Sequence, residues 1–232
     1  MTDGRSSNPA ESDSSDSPVE SDADPAQPEP QATVFVVDDE IVVRDSLRWL
    51  IESVGLPVRT FSSGSEFLDA YSPRMAGCAI LDVRMPGISG LDLQETLRER
   101  GATIPIILIT GYADVPMAVR AMKSGATEFL RKPFSDQQML DIVQRAIDDD
   151  AKYRKKNARL EELRQRLKSL TPRECEILVF VSDGLASREI GENLNISQKT
   201  VETHRTNMMK KMQVSNVALL TRLYLEAQVS SD

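Results

Sequence analysis

One apolar run, Gly77-Cys78-Ala79-Ile80-Leu81, ends in Asp82 and is followed by Val83-Arg84-Met85-Pro86-Gly87. Because the run is short and bounded by turn residues, it predicts one buried strand. A carboxylate at the carboxyl end of a strand lies where open parallel α/β sheets place their ligand sites. The run therefore indicates an α/β fold with a functional group at one edge of its sheet.

An earlier apolar run has the same design, since Thr33-Val34-Phe35-Val36-Val37 precedes the two acids Asp38 and Asp39. Three carboxylates at one sheet edge repel each other unless a cation joins them. Hard oxygen ligands of this kind suit Mg²⁺. The sequence therefore predicts Mg²⁺ beside a carboxylate, a site suited to phosphoryl chemistry.

The charge of the chain is uneven along its 232 residues, whose net charge is -8. Residues 1–30 carry eight acids and one base, residues 31–150 eighteen acids and twelve bases, and residues 151–232 ten acids and fifteen bases. A basic segment after an acidic one indicates a polyanion partner. A solvated basic helix explains the charge of that segment equally well.

Neither a membrane span nor a signal peptide is expected. No stretch approaches the roughly 18 apolar residues of a spanning helix, and the N-terminus lacks an apolar core. The two cysteines, Cys78 and Cys175, lie far apart in apolar patterns, so both are expected to be buried and reduced. We therefore expect a cytoplasmic protein.

Strand-like and helical patterns alternate from Thr33 onward, after an acidic tail that is rich in Ser, Asp, Glu and Pro. This tail, residues 1–31, buries too little apolar surface to order itself and is predicted to be disordered. The predicted strands are 33–37, 57–61, 77–81, 104–109 and 127–130. The predicted helices between and after them are 41–54, 64–71, 89–100, 114–124 and 135–149. This alternation predicts a doubly wound, five-stranded parallel sheet of the flavodoxin-like order 2-1-3-4-5.

A polar helical linker follows, with leucines at steps of three, four and three residues: Leu160, Leu163, Leu167 and Leu170. This spacing fits either a short dimer seam or a helix face that packs on its own domain. Four further helices are predicted at 172–182, 187–194, 198–212 and 216–227, which make a small all-α domain. The second and third, separated by Asn195-Ile196-Ser197, form a helix-turn-helix arrangement.

Five polar residues at strand ends meet at one edge of the predicted sheet: Asp38, Asp39, Asp82, Thr110 and Lys132. Asp82 can attack phosphorus as a carboxylate nucleophile, and Mg²⁺ held by Asp39 and Asp82 would neutralise charge on the phosphoryl oxygens. Lys132 can pair with one phosphoryl oxygen, and Thr110 can donate to another. Each residue alone is equally typical of a helix cap or a solvated strand end.

Residues 33 to about 149 resemble a two-component receiver domain. The segments that carry this resemblance are Val37-Asp38-Asp39-Glu40, Leu81-Asp82-Val83-Arg84-Met85-Pro86-Gly87, Ile109-Thr110-Gly111-Tyr112 and Lys132-Pro133-Phe134. The resemblance implies that Asp82 accepts phosphate from a histidine kinase. It implies Asp39 and Asp82 as direct metal ligands, Asp38 acting largely through water, and the backbone carbonyl of Arg84 as a third protein ligand.

The same resemblance implies a switch. Thr110 would move toward the phosphoryl group and leave space that Phe129 fills by turning inward; alternatively, Phe129 is ordinary core. The surface expected to change comprises the fourth helix, the fifth strand and the fifth helix. The resemblance further implies a cis bond between Lys132 and Pro133, which an X-Pro bond permits. Arg84 and Tyr112 resemble positions that tune the lifetime of the phosphate.

The predicted helix 198–212 has two distinct faces. Val201, Met208 and Met212 are expected to pack inward, whereas the outer face is basic and rich in hydroxyls, as a major-groove helix requires. Residues 170–228 resemble a LuxR-type DNA-binding domain, through Leu170-Thr171-Pro172-Arg173-Glu174, Glu189-Ile190-Gly191, Ile196-Ser197, Thr200-Val201-Glu202-Thr203-His204 and Lys210-Lys211-Met212. The candidate DNA contacts are Lys199, Thr200, Thr203, His204, Arg205, Thr206 and Lys210. His204, the only histidine, is expected either to contact a backbone phosphate or to pack between helices.

Together these units resemble a FixJ-type response regulator. Its expected parts are an acidic tail (1–31), a receiver domain (32–149), a helical linker (150–169) and a LuxR-type domain (170–228). Beyond accepting a phosphoryl group on Asp82 and releasing it by hydrolysis, no enzymatic activity is expected. The implied partners are a sensor histidine kinase, double-stranded promoter DNA, a second copy of the chain after phosphorylation, and RNA polymerase as a further candidate.

Two other functions remain open from the sequence. A phosphorelay adaptor would use the C-terminal helices to bind protein instead of DNA. An RNA-binding antiterminator is disfavoured, because a helix-turn-helix offers a groove-reading helix and no platform on which bases stack.

Overall fold

The computed structural model describes residues 31–229, so the predicted acidic tail lies outside the described residues apart from Gln31. Its five strands are β1 (Thr33–Val37), β2 (Val58–Phe61), β3 (Gly77–Asp82), β4 (Ile106–Thr110) and β5 (Glu128–Arg131). They form one parallel sheet in the order β2-β1-β3-β4-β5, which confirms the predicted topology. Among residues 31–229, none of the helices combines the length and apolar character needed to cross a bilayer.

Helices alternate with these strands and then continue alone. The first five are α1 (Ile41–Glu52), α2 (Gly64–Ala70), α3 (Gly90–Glu99), α4 (Val115–Lys123) and α5 (Asp136–Lys168). The C-terminal helices are α6 (Pro172–Ser182), α7 (Ser187–Leu194), α8 (Gln198–Met212) and α9 (Val217–Val229). Except at the end of α5, the predicted elements agree with the observed ones to within two residues.

The sheet separates two hydrophobic cores. On one face, Phe67 of α2 and Leu93 and Leu97 of α3 are fully buried against the strands. On the other face, Ile51 of α1 and Met139 of α5 are fully buried in the second core. Because helices cover both faces, every residue of β3 is buried, and the central strands are apolar except at their ends. Polar chemistry is thereby confined to the ends of the strands.

The fifth helix does not end at residue 149, so that predicted boundary was wrong. Helix α5 continues without interruption to Lys168 and includes the predicted linker. The chain has neither proline nor glycine between Phe134 and Leu170, so nothing in the sequence stops the helix. The α/β unit and the C-terminal unit are therefore joined by a single helix.

The leucines at the end of α5 pack within the C-terminal unit. Leu163 and Leu170 belong to the core formed with α6–α9, Leu167 packs against that core, and Leu160 is also buried. Of the two alternatives for this spacing, the structure shows the helix face that packs on its own domain.

A buried ion pair fixes α5 to the sheet where the helix leaves it. Asp150 is 3% exposed, and its Oδ2 accepts from the Gly77 N–H at 2.8 Å and from Arg154 Nε at 2.6 Å. The guanidinium of Arg154 also donates to the carbonyls of Pro73 and Met75. The pair therefore clamps the first turns of the linker to the loop before β3.

The two cysteines differ in their surroundings. Cys78 is buried in β3, and burial, with a further contribution from the nearby Asp150 charge, raises the pKa of its thiol to about 12. Cys175 is exposed, so its predicted burial was wrong. The buried positions of α6 are Glu174, Ile177, Leu178 and Val181, and Cys175 lies off that face.

We expect Asp150→Ala to lower the free energy of unfolding of the α/β unit by about 3 kcal/mol, because removing one partner of a buried pair leaves the other charge uncompensated. Urea denaturation followed by circular dichroism measures the change. Asp149→Ala is the matched control: its ion pair with Lys152 is exposed, so we expect a loss within about 0.5 kcal/mol. Equal losses in the two variants would contradict the clamp.

Candidate functional site

Four polar side chains meet at the carboxyl ends of the strands. Asp38 follows β1, Asp82 ends β3, Thr110 ends β4, and Lys132 follows β5. Asp38 and Thr110 are fully buried, and Asp82 is 6% exposed. The parallel sheet order places β1, β3 and β4 side by side, so these residues lie together at one edge of the sheet.

The ammonium of Lys132 joins two of the carboxylates. Its Nζ lies 2.8 Å from Asp38 Oδ2 and 2.8 Å from Asp82 Oδ1. A single cation thus offsets the repulsion between two buried acids that sit on neighbouring strands. Lys132 is itself only partly exposed, so solvent screens these ion pairs weakly.

The pocket shifts the pKa values of both partners. Burial raises the pKa of Asp82, and the charge of Asp38 adds to this, while the contacts with Lys132 oppose it. Burial alone would lower the pKa of Lys132, but its hydrogen bonds to Asp38 and Asp82 raise the value overall. Lys132 therefore stays protonated at neutral pH, and the Asp82 carboxylate is more basic than an exposed aspartate.

Main-chain contacts hold the two buried acids in place. The Arg84 N–H donates to Asp82 Oδ2 at 2.6 Å, and the Glu40 N–H donates to Asp38 Oδ1 at 2.9 Å. Helix α3 begins so close to β3 that a Cβ on Gly90 would lie 2.2 Å from the Asp82 carbonyl oxygen. This approach requires glycine and fixes the loop that carries Arg84.

Arg44 is a site residue that sequence reasoning missed. Its Nη1 donates to the carbonyls of Asp38 at 2.6 Å and Asp39 at 3.0 Å, which fixes the turn between β1 and α1. The only available signal was its position in the first turn and a half of α1, directly after the acidic pair. Its role is to orient the loop, because it contacts backbone oxygens and no carboxylate of the pocket.

Asp39 differs from its neighbour, because it is exposed. Over residues 31–229, no three His, Cys, Asp or Glu side chains cluster closely enough to hold an ion by themselves. Mg²⁺ does not require such a cluster, since it is usually bound by one or two carboxylates, water and phosphate oxygens. The oxygens of Asp39, Asp82 and the Arg84 carbonyl are hard ligands of this class, so the residues present fit the ion.

Thr110 and Phe129 occupy adjacent strands. The Thr110 hydroxyl accepts a hydrogen bond from the Tyr112 N–H at 3.2 Å. The backbone carbonyl of Thr110 accepts one from the Lys132 N–H at 2.7 Å. Phe129 pairs with Leu108 across the sheet and is half-buried against the core beside α3 and α4. The bond between Lys132 and Pro133 is cis, which confirms that prediction.

The side chains of Arg84 and Tyr112 contact each other beside the strand ends that carry the pocket. The guanidinium carbon of Arg84 lies 4.5 Å from the centroid of the Tyr112 ring, a cation–π contact. Both side chains lie outside the buried pocket, and Tyr112 is 70% exposed. Their role in tuning the lifetime of a phosphoryl group stays a prediction from the sequence.

The second site is the outer face of α8. Five of the predicted DNA contacts are exposed along this helix: Lys199, Thr200, Thr203, Thr206 and Lys210. The hydroxyls of Thr203 and Thr206 donate to carbonyls one turn earlier, at 3.0 Å each. His204 and Arg205 are half-buried instead. Arg205 Nη1 donates to the Ser187 hydroxyl at 2.9 Å, so Arg205 joins α8 to the start of α7.

The inner face of α8 is fully buried, as predicted, through Val201, Met208 and Met212. The turn before it is tight: a Cβ on Gly191 would lie 2.7 Å from the Ile196 carbonyl oxygen, so glycine is required there. These contacts set the angle at which the exposed face of α8 projects from the domain.

A buried ion pair joins α8 to α6. Glu174 is 3% exposed, and its Oε2 accepts from Lys211 Nζ at 2.7 Å and from the Thr171 N–H at 2.8 Å. Burial alone would raise the pKa of Glu174, but these contacts lower it below the ordinary value. Glu174 therefore both caps α6 and holds the C-terminal end of α8.

Comparisons with known proteins cover both units. The protein-family model of the response regulator receiver domain matches residues 34–144. The family model of the bacterial regulatory proteins of the LuxR family matches residues 168–224. The chain is 42% identical over 192 residues to the response regulator protein TodT of Pseudomonas putida, covering 83% of this chain and 85% of that protein. It is 43% identical over 197 residues to the transcriptional regulatory protein FixJ of Azorhizobium caulinodans, covering 85% and 93%. The solved structure of the response regulator StyR aligns with a TM-score of 0.80 and 43% identity, covering 84% of this chain and 99% of that one.

We expect Glu174→Gln to destabilise the C-terminal unit by about 2 kcal/mol at pH 7, because a charge-assisted hydrogen bond is lost. A lowered pKa in the folded state gives stability that is present above the ordinary carboxyl pKa and is lost as the pH falls through the lower value. The difference from the unsubstituted protein should therefore shrink below about pH 4. Hydrogen exchange of the α6 and α8 amides, at pH 7 and again below about pH 4, measures this difference in stability.

The matched control is Glu176→Gln, on the same helix, because its ion pair with Arg173 is exposed. We expect little change at either pH. A Glu174→Gln deficit that stays constant down to pH 3 would show that the ionised carboxylate contributes nothing.

Proposed function

The chain belongs to the transcriptional response regulators that join a receiver domain to a LuxR-type DNA-binding domain, and on this premise we propose that phosphorylation of Asp82 controls its binding to DNA. The observation that carries the proposal is the pocket in which Lys132 bridges Asp38 and Asp82. Of these two acids, Asp82 ends its strand and is 6% exposed, whereas Asp38 follows β1 and is fully buried, so Asp82 is the more accessible nucleophile.

The reaction at Asp82 is a phosphoryl transfer from a phosphohistidine of a sensor kinase. A carboxylate oxygen attacks phosphorus, the P–N bond to histidine breaks, and an aspartyl phosphate forms. Lys132 can turn from the carboxylate to a phosphoryl oxygen without leaving the pocket, and the Thr110 hydroxyl can donate to another oxygen. When bound, Mg²⁺ would neutralise charge on the transferring group. Asp39, Asp82 and the Arg84 carbonyl would hold it, with Asp38 acting largely through water.

The switch runs from Thr110 to the outer surface of α4. If Thr110 moves toward the phosphoryl group, it leaves space beside β5 that Phe129 can enter, because Phe129 is only half-buried now. Helix α4 exposes apolar side chains on the neighbouring surface, with Val115 at 76% and Met122 at 50% exposure. A second copy of the chain that covers this surface would form the active dimer.

In the dimer, two copies of α8 enter successive major grooves of promoter DNA. Lys199, Lys210 and Arg205 would bind phosphates, and Thr203 and Thr206 would reach base edges after releasing their carbonyl contacts. Half-sites would lie about one helical turn apart. His204 is half-buried, which favours a packing role over a phosphate contact. The protein acts in the cytoplasm, where the kinase, the promoter and RNA polymerase are available to it.

A phosphorelay adaptor is the alternative, in which α6–α9 bind a protein. The exposed lysines and hydroxyls of α8 favour DNA, because lysine is depleted at protein–protein interfaces and basic residues cluster on faces that bind nucleic acid. Affinity for duplex DNA that falls steeply with salt supports the transcription factor, whereas no DNA affinity at low salt supports the adaptor.

We expect Asp82→Asn to abolish the increase in promoter binding that acetyl phosphate causes, since an amide cannot accept the phosphoryl group. Binding isotherms with and without acetyl phosphate and Mg²⁺ measure the response, and circular dichroism checks the fold. Asp69→Asn is the control, because Asp69 is an exposed acid of α2 away from the pocket. If Asp82→Asn responded as the unsubstituted protein does, the mechanism would be wrong.

We expect Lys199→Ala to weaken DNA binding about equally for all sequences and to reduce the slope of log K against log salt by roughly 0.9, the loss of one phosphate contact. Fluorescence anisotropy over a range of salt concentrations measures the slope. Arg74→Ala, at an exposed position in the loop before β3, removes the same charge elsewhere and should leave the slope unchanged. Equal slopes for both variants would remove Lys199 from the DNA interface.

A further inference from the structure

A cleft lies where the chain enters β1 and α5 leaves the sheet. It has a volume of 680 Å³ and is open to solvent along the linker half of α5. Its floor is apolar and includes Ala32, Ala76 and Ile147. The cleft is at the opposite end of the sheet from the phosphorylation pocket, because Thr33 and Gly77 begin their strands there.

The rim of this cleft is basic. Lys152, Arg154 and Lys155 line it, and the one acid among its lining residues is Asp150, which is buried and already paired with Arg154. Lys152 has a surface partner in Asp149, whereas the described residues offer Lys155 no ion pair within 4 Å. Asp148 and Asp149 lie at the sheet end of this stretch and would repel an anion there. The positive charge is therefore concentrated over residues 152–156, since Lys156 follows directly.

The N-terminal segment of the same chain matches this cleft in charge and position. Residues 1–30 carry eight acids and one base, and four of these acids fall within 20–29: Glu20, Asp22, Asp24 and Glu29. Ala32 lines the cleft, so residue 29 is three residues from it and residue 20 is twelve. At about 3.5 Å per extended residue, the tether from Ala32 spans about 10 Å to Glu29 and about 40 Å to Glu20, and Ala32 lines the same cleft as Lys155.

We propose that residues 20–29 bind the basic cleft beside α5 in the same chain. Alanine and proline side chains of this stretch meet the apolar floor, and its carboxylates pair with Lys152 and Lys155 on the rim. Because the segment is tethered at Ala32, its effective concentration at the cleft is in the millimolar range, so weak contacts suffice. The binding is reversible and sensitive to salt, since exposed ion pairs are screened.

The consequence is control of the linker by charge. When the segment is bound, the cations of residues 152–156 are neutralised and cannot attract DNA or another polyanion. When it is released, the basic surface of the linker adds to that of the DNA-binding domain. This control is independent of Asp82 and therefore goes beyond the phosphorylation switch.

Carbodiimide cross-linking of the full chain tests the contact, because it joins a carboxylate to a lysine only where the two touch. We expect peptides that link Glu20, Asp22, Asp24 or Glu29 to Lys152, Lys155 or Lys156. We expect them to disappear at about 1 M salt, where the Debye length is about 3 Å. A mixture of isotopically labelled and unlabelled protein should give links within one isotope only, as binding in the same chain requires.

The matched variant neutralises the four acids with Glu20→Gln, Asp22→Asn, Asp24→Asn and Glu29→Gln. We expect acylation of the Lys155 amine to be several-fold faster in this variant than in the unsubstituted chain, with Lys123 as the unchanged control. Cross-links to Lys199 or Lys210 would place the segment on α8 and overturn the proposal. Mixed-isotope links, or equal acylation rates of Lys155 in both proteins, would overturn it as well.

Discussion

The bridge that Lys132 makes between Asp38 and Asp82 is the interaction on which the α/β unit depends. Two acids buried at the ends of neighbouring strands would otherwise repel each other across a few ångströms. The ammonium comes from β5, at the far edge of the sheet, so one contact ties together strands at its centre and its border. The same contact bears on the proposed reaction, because a phosphoryl group on Asp82 would draw the Lys132 ammonium away from the carboxylates. Stability and chemistry would then be coupled at this lysine.

Each end of the sheet carries its own buried ion pair, and the two have different roles. Asp38, Asp82 and Lys132 close the carboxyl end, where the partners can exchange. At the amino end, Asp150 and Arg154 bind backbone groups as well as each other through Asp150 Oδ2, while the buried Asp150 Oδ1 has no hydrogen-bond partner among the described residues. The first arrangement would permit the proposed switch, whereas the second ties α5 to the loop before β3. With α5 held in this way, a change at Asp82 would have to reach the C-terminal unit through the exposed surface of the α/β unit or through a second copy of the chain.

The sequence predicted the sheet and its strand-end residues well, because both follow from local patterns. Apolar runs of five or six residues mark buried strands, and the parallel order brings their carboxyl ends together, so Asp38, Asp82 and Lys132 could be placed before their distances were known. The predicted boundary at residue 149 was wrong, since the polar stretch that follows carries no stop signal and the fifth helix and the helical linker form one helix. The clamp at Asp150 was equally invisible, because its partner Gly77 lies 73 residues away in the chain. Leu160 to Leu170 illustrate a third limit: the spacing of a dimer seam is also that of a helix packed on its own domain.

The continuous helix has one more consequence, which concerns phase. At 1.5 Å and 100° per residue, the 33 residues of α5 span about 50 Å and make about nine turns. Because the clamp fixes one end and the leucines fix the other, inserting a single residue between them would swing the DNA-binding unit through about a quarter of a circle. Inserting seven residues, nearly two turns, would leave the orientation of the DNA-binding unit almost unchanged and would lengthen α5 by about 10 Å. Between Arg154 and Leu160, an insertion or deletion of a whole number of helical turns should therefore disturb function less than a shorter change that rotates the DNA-binding unit.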